Sequence, residues 1–213
     1  MSSQLVSHAG SALATLVLVL AAAPAPAQMG GGGGTRLSLR PQLGFYIPTA
    51  NLVEATQTGE VGKMEAGPSF GAAIGLRFGS HFGIEVGGAY VPTTFTLNSA
   101  GNNVDKHDAK LFLGKGLVVV DLLPATSMLR VFVNAGVGVI SHGGVAFTDK
   151  AKTTDLGGVA GAGVGIRLGG LQLIAGTDLY RYSASFEEGT QTSSKLTQTD
   201  FALKVGLGFG VGR

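Results

Sequence analysis

Two pairs of adjacent polar residues have the types that nucleophilic catalysis needs. Ser141 precedes His142, and His107 precedes Asp108. A serine nucleophile requires a histidine base within hydrogen-bond reach and an acid that orients the histidine. Adjacent residues on a strand point to opposite faces, and such residues in loops are mostly solvated turn residues. We therefore predict no catalytic residues, and an enzyme remains an alternative.

Metal and cofactor chemistry has little support in the sequence. His107 and His142 would need carboxylates from neighbouring loops to complete a zinc site. The chain has no cysteine, which excludes thiolate zinc sites and disulfides. A glycine run from Met29 to Gly34 has the composition of a phosphate-binding loop, but no Lys-Ser/Thr pair follows it. We expect neither a metal nor a cofactor.

The composition indicates apolar residues that are dispersed along strands. Hydrophobic residues make up 45% of the 213 residues and charged residues only 13%, whereas charged residues are roughly 25% of soluble proteins. No apolar run in the body of the chain reaches the roughly 18 residues of a transmembrane helix. A net charge of +2 is too small to predict a nucleic-acid partner. Such a chain is typical of a transmembrane β-barrel.

Eight segments alternate between apolar residues and small or polar ones, which is the two-residue period of a strand. The last segment, Thr199 to Val211, alternates most strictly. The other seven are Arg36 to Ile47, Ser69 to Phe78, Phe82 to Phe95, Asp108 to Leu122, Met128 to Ser141, Leu156 to Leu168 and Leu171 to Ser183. An even number of strands predicts an all-β fold, an eight-stranded antiparallel up-and-down transmembrane β-barrel.

The connections between these segments alternate in length. Short turns are expected at Gly79 to His81, Leu123 to Ser127 and Gly169-Gly170. Long polar loops are expected at Pro48 to Pro68, Thr96 to His107, His142 to Asp155 and Ala184 to Gln198. This order places all long loops at one rim of the barrel and all short turns at the other, as in outer-membrane barrels.

The apolar face of each strand is predicted to meet lipid, and the other face to line the lumen. That second face is rich in glycine, which weakens an exposed strand but leaves room inside a narrow barrel. The fourth segment is the least regular: we expect Phe112, Val118 and Val120 to point outward, and a bulge would reverse half of it. Aromatic residues near strand ends suggest interfacial girdles: Phe45, Tyr46, Phe70, Phe78, Phe82, Tyr90, Phe112 and Phe201.

Ten charged residues are predicted to point into the lumen, seven of them basic. They are Arg36, Arg40, Arg77, Glu85, Lys115, Asp121, Arg130, Arg167, Asp178 and Lys204. One interpretation is a packed ion network that plugs the lumen, and the other is a small, anion-preferring pore. We favour the plug, because an eight-stranded barrel is only wide enough for side chains to fill.

The first 27 residues have the features of a secretory signal peptide. Ala12 to Ala23 forms the apolar core, and Ala25-Pro26-Ala27 supplies the small-x-small cleavage pattern. Residues 28–34 are then a glycine-rich spacer, and residues 35–213 are the barrel domain. This organisation predicts export across the inner membrane.

The last strand resembles the assembly signal of bacterial outer-membrane barrels, in which a polar residue, a glycine and two hydrophobic residues recur at fixed spacing. The matching positions are Lys204, Gly206, Phe209 and Val211. The whole segment 35–211 resembles the small eight-stranded outer-membrane barrel family, which includes the OmpA-type barrel. The resemblance implies an outer-membrane location, contact with outer-membrane lipid and insertion by the barrel-assembly machinery. We expect a monomer without the peptidoglycan-binding domain of OmpA.

Three functions remain open at this point. The leading hypothesis is a non-enzymatic outer-membrane barrel with a structural, adhesive or small-solute pore role. The first alternative is a rim-active lipid hydrolase or acyltransferase that uses Ser141, His142 or His107. The second is a secreted, soluble, lipocalin-like barrel, in which the apolar faces would line a ligand cavity instead of meeting lipid.

Overall fold

The structure is a computed structural model, which describes residues 36–51, 61–98, 104–148, 153–184, 187–188, 191–192 and 196–211. The predicted signal peptide and glycine-rich spacer lie outside these residues. Within the described ranges, no helix is long and apolar enough to cross a membrane.

Eleven strands and one short 3-10 helix make up the described part of the chain. The strands are β1 Arg36–Pro48, β2 Val61–Met64, β3 Gly67–Phe78, β4 Phe82–Asn98, β5 Val104–Asp121, β6 Leu129–Gly143, β7 Thr154–Leu168, β8 Leu171–Ala184, β9 Glu187–Glu188, β10 Gln191–Thr192 and β11 Leu196–Val211. The 3-10 helix, Val145–Phe147, follows β6. The eight long strands correspond to the eight alternating segments of the sequence.

The eight long strands form one closed antiparallel barrel. Each pairs with its neighbours in chain order, and β1 pairs with β11 to complete the ring, from Leu37 opposite Val211 to Pro48 opposite Asp200. The β1–β11 register skips Arg40 and Pro41, since proline has no N–H to donate. The predicted eight-stranded up-and-down barrel is therefore confirmed.

The two shortest hairpins have the glycines that their geometry demands. Gly79 and Gly169 each adopt a φ of 64°, a left-handed conformation that costs other residues energy. Phe78 pairs with Phe82 across the first turn, and Leu168 with Leu171 across the second. These turns and the β5–β6 connection define the short-turn rim.

The long-loop rim contains more regular structure than the sequence predicted. The expected loop from Thr96 to His107 is wrong over most of its length, because β4 and β5 continue as a paired hairpin from Thr96–Lys106 to Asn98–Val104. Within the first long loop, β2 adds to β4. Polar residues in these segments look like loop in the sequence because strands that extend beyond the lipid lose their apolar outward face.

The outward face of the barrel is apolar. Exposed large side chains recur at every second position, among them Leu43 on β1, Val137 on β6 and Val205 on β11. On β5, Phe112 and Val118 are 54% and 55% exposed, and the regular β4–β5 register contains no bulge that would reverse the strand. An apolar exterior argues against the soluble lipocalin-like alternative, which needs a polar one.

The inner face is packed and changes character along the barrel axis. Charged residues dominate the half near the short-turn rim, and apolar and aromatic residues such as Leu111, Ile140 and Tyr180 fill the half near the long loops. Tyr46 is part of this second half and is 1% exposed, so its assignment to an outer girdle is wrong. Tyr46 is an even number of residues from the inward Arg40 on β1, so both side chains point to the same face of the strand.

Candidate functional site

Five residues near the short-turn rim form a group that we call the rim cluster: Arg36, Arg77, Asp121, Arg130 and Arg167. The side chain of Asp121 is fully buried at its centre. Arg77 pairs with both carboxylate oxygens, at 3.0 Å from Nη2 to Oδ1, and Arg130 Nε donates to Oδ1 at 2.9 Å. Arg167 Nη2 lies 3.6 Å from Oδ2. The single carboxylate of Asp121 therefore pairs with three guanidinium groups.

Two of these arginines also have contacts beyond Asp121. Arg167 Nη1 lies 3.2, 3.3 and 2.7 Å from the carbonyl oxygens of Pro124, Ala125 and Ser127, so it fastens the β5–β6 turn to β7. The guanidinium of Arg130 stacks on the ring of Phe132, with 4.2 Å between Cζ and the ring centroid. Such contacts are typical of arginine, whose flat, forked group both stacks and donates several hydrogen bonds.

The other five charged residues meet at mid-height and form what we call the mid-lumen cluster: Arg40, Glu85, Lys115, Asp178 and Lys204. Arg40 pairs with Glu85. Lys115 Nζ lies 3.6 Å from Glu85 Oε1 and 2.5 Å from Asp178 Oδ2, and Lys204 Nζ contacts the same Asp178 oxygen at 2.5 Å. Side-chain exposure is below 10% for all five.

Close packing holds the mid-lumen carboxylate of Asp178 in place. A Cβ on Gly161 would stand 2.6 Å from Asp178 Oδ1 and 2.8 Å from Asn134 Oδ1. The absence of a side chain at Gly161 on β7 leaves the space in which the Asp178 carboxylate pairs with Lys115 and Lys204. The structure thus brings together nine of the ten charged residues through ion pairs; Arg36 belongs to the rim cluster by position, since it lies opposite Arg77 in the β1–β3 register.

The lumen near the long loops holds a second, mainly apolar layer that the sequence reasoning missed. Phe147, on the 3-10 helix, packs on Phe95 of the β4–β5 extension and on His142 of β6, with ring centroids 5.7 and 5.4 Å apart. Deeper in this layer, Asp200 accepts hydrogen bonds from Tyr46 and Tyr182. The sequence of β5 contained a signal for this apolar layer. Leu111, Leu113 and Leu117 alternate in step with Lys115, so they point to the same inner face of the strand.

His142 lies beyond the outward apolar band, whose last large residue on β6 is Val139. Its side chain points inward and the residue is 2% exposed. Burial lowers the pKa of His142 to about 4, against a smaller opposite effect from a hydrogen bond to the backbone of Thr153. The imidazole is therefore neutral at physiological pH.

The residues considered for catalysis do not converge. Ser141 shares a hydrogen bond with Thr154 at 3.1 Å between hydroxyl oxygens, whereas the adjacent His142 faces the interior. His107 pairs in register with Phe95 on the exposed β4–β5 extension. Among the described residues, no group of three or more His, Asp or Glu side chains is placed to hold a metal ion.

Solved structures share this architecture. OprG, an outer-membrane protein from Pseudomonas aeruginosa, aligns over 87% of this chain and 100% of its own, with a TM-score of 0.61 and 15% identity. Neisserial surface protein A aligns over 83% and 98%, with a TM-score of 0.55 and 11% identity. This chain has the fold of the small eight-stranded outer-membrane β-barrels. No protein-family model matches the sequence, and no curated protein gives a significant match.

The assembly signal predicted at Lys204, Gly206, Phe209 and Val211 falls on β11, the strand that closes the barrel. Lys204 points inward to Asp178, and Phe209 is 45% exposed on the outward face. Recognition of this strand by an assembly machinery stays a prediction.

Asp178→Asn is expected to destabilise the barrel, because it leaves Lys115 and Lys204 buried with half of their counter-charge removed. Breaking a buried ion pair from one side typically costs roughly 3–5 kcal/mol. The measurement is the urea midpoint of the refolded barrel in detergent, read as the mobility difference between unheated and boiled samples. Asp108→Asn, at an exposed position on β5, is the matched control and should leave the midpoint unchanged. Adding Lys204→Met to Asp178→Asn should recover part of the loss; an unchanged midpoint in Asp178→Asn would contradict the account.

The His142 side chain is expected to make the long-loop end sensitive to acid. Its pKa is about 4 in the folded state and about 6.5 when exposed, so the unfolded state binds the extra proton first. Stability should therefore fall as the pH drops from about 6.5 to about 4. The imidazole resonances of His142 should titrate near pH 4 in NMR spectra, and His142→Phe should flatten this part of the stability profile. Titration of His142 near pH 6.5 would show that the imidazole is solvated.

Proposed function

We propose that this protein is a non-enzymatic, non-conducting barrel of the outer membrane that serves a structural or adhesive role through its long-loop end. The apolar exterior and the shared fold support the membrane location. In this proposal the predicted signal peptide directs export, the short-turn rim faces the periplasm and the long-loop rim faces the outside.

The observation that carries the proposal is the filled lumen. The mid-lumen cluster blocks the barrel with charged side chains that are less than 10% exposed. Above it, the layer around Phe147 and Leu111 adds an apolar block. A hydrated ion would have to break buried ion pairs and then cross an apolar layer, and both steps are costly. The geometry thus favours the plug over the anion-preferring pore.

Among the described residues, the extension of β2, β4 and β5 at the long-loop rim offers an exposed polar surface. Glu65 accepts hydrogen bonds from Lys106 and Thr96 there, both at 2.9 Å. These bonds lower the pKa of Glu65, which keeps it ionised. A hydrogen-bonded, polar sheet of this kind presents a defined surface, as adhesion and recognition require.

The separation of Ser141 from His142 supports the non-enzymatic part of the proposal. A nucleophile and its base have to lie within hydrogen-bond reach, and these two side chains lie on opposite faces of β6. The rim hydrolase or acyltransferase is therefore the less supported alternative. Neither hydroxyl nor imidazole has the geometry to activate the other.

The purified barrel is expected to carry no steady current in a planar lipid bilayer. Insertion is verified by a gel shift between unheated and boiled protein from the same preparation, since a closed barrel resists SDS until it is heated. An open porin in the same bilayer serves as the positive control. Steady, stepwise conductance by the wild-type barrel would overturn the non-conducting role.

Single cysteines are expected to report the orientation, because the natural chain has none. Lys106→Cys on the β5 extension should react with a membrane-impermeant maleimide on intact cells. Ser80→Cys lies in the turn between β3 and β4 at the short-turn rim. It should react only after the outer membrane is permeabilised. The reverse labelling pattern would invert the proposed orientation, and labelling of neither variant in permeabilised cells would contradict the exposure of both sites.

A further inference from the structure

The rim cluster carries more positive charge than its own carboxylate neutralises. Its four arginines stand against the single carboxylate of Asp121, which gives the cluster a net charge of +3; Arg77, Arg130 and Arg167 pair with that carboxylate, and Arg36 lies opposite Arg77 in the β1–β3 register. In the mid-lumen cluster, by contrast, three cations share two carboxylates. The unbalanced charge is thus concentrated at the short-turn rim.

The arrangement of Arg36 and Arg77 places two like charges close together. They are direct cross-strand partners between β1 and β3, and like charges in this position repel. Arg36 makes no ion pair or side-chain hydrogen bond with any part of the chain that the structure describes. Its charge also acts on Arg77 and on Arg167, so the three guanidinium groups lie within electrostatic range of one another.

The exposure of these groups defines which side an anion can approach. The side chains of Arg77 and Arg167 are 19% and 20% exposed, and Arg36 is exposed. Beneath them, Arg130 is 1% exposed and the carboxylate of Asp121 is fully buried. Asp121 therefore lies beneath Arg77 and Arg167 and pairs with both, while these two side chains and Arg36 keep part of their surface exposed to the solvent at the rim.

We propose that Arg36, Arg77 and Arg167 form a binding site for a phosphate group at the short-turn rim. Guanidinium groups bind phosphate through paired, charge-assisted hydrogen bonds. The single charge of a lipid phosphodiester offsets one of the three excess positive charges, and a dianion of inorganic phosphate offsets two. The site also lies next to the end of the outward apolar band, marked by Leu37 and Leu168, which is the height of lipid head groups. The phosphate can therefore come from a phospholipid head group or from a soluble phosphate.

The lipid source, but not the site itself, rests on the membrane orientation proposed above. If the short-turn rim faces the periplasm, its lipids are those of the inner leaflet of the outer membrane. If the barrel conducts ions and also binds phosphate at this rim, the non-conducting role is contradicted and the phosphate site is supported. The two proposals can thus fail separately.

The test uses the folded barrel in maltoside micelles, which contain no phosphate. Inorganic phosphate is titrated in one arm and phosphatidylglycerol in the other, while the side-chain Nε–H resonances of the arginines are followed by NMR. We expect saturable shifts at Arg36, Arg77 and Arg167, with Arg181 on the exposed side of β8 as an internal reference. Arg36→Gln should weaken binding about tenfold, the value of one charge-assisted hydrogen bond, and Arg36→Glu should abolish it.

Folding is checked independently of binding by the gel shift between unheated and boiled samples. Arg36→Gln and Arg36→Glu should keep this shift, because the Arg36 side chain makes no hydrogen bond or ion pair with the described residues. Lys106→Gln removes a cation at the opposite rim and should bind phosphate as the wild type does. Saturation by inorganic phosphate alone identifies a soluble source, and saturation by phosphatidylglycerol alone identifies a lipid head group. Absence of saturation in both arms, or unchanged binding by Arg36→Glu, would overturn the site.

Discussion

The closure of the sheet by β1 and β11 is the constraint on which the rest of the structure depends. An open sheet would expose unpaired N–H and C=O groups to lipid, at a cost of several kcal/mol each. Pairing of the first and last strands removes both edges. Once the ring is closed with eight long strands, its interior is narrow, and each inward side chain must find its place against the opposite wall.

The narrow interior explains why the charged residues are paired as they are. A buried charge without a partner is far more costly than an exposed one, so each carboxylate of the two clusters pairs with two or three cations. The buried Asp200 accepts hydrogen bonds from two tyrosines instead. Asp178 and Asp121 act as the centres of the two clusters. Glycine contributes here through its size, since Gly161 leaves the space that Asp178 occupies. Most of the excess positive charge lies at the short-turn rim, where water reaches the arginine side chains.

The filled lumen leaves the two ends of the barrel as the places where charged side chains of the described residues meet the solvent. The long-loop end has a hydrogen-bonded polar extension, and the short-turn end has open guanidinium groups. Between them, the apolar exterior anchors the molecule and the interior supplies rigidity.

The alternating residues already specified the eight long strands, their outward faces and the alternation of short and long connections, because a two-residue period survives in any register and lipid demands an apolar exterior. The same alternation also placed ten charged residues on the inner face. The pairing of Asp121 with Arg77 and of Lys115 with Asp178 became visible in the folded barrel, since these partners lie on strands that are not neighbours. The folded barrel likewise revealed that β4 and β5 extend past the membrane, where polar residues mask the strand pattern. The inward direction of Tyr46, in contrast, already follows from its alternation with Phe45 and Ile47 in the sequence. Ring closure sets which residues face one another across the lumen, and no local sequence pattern encodes the distance between residues on opposite walls.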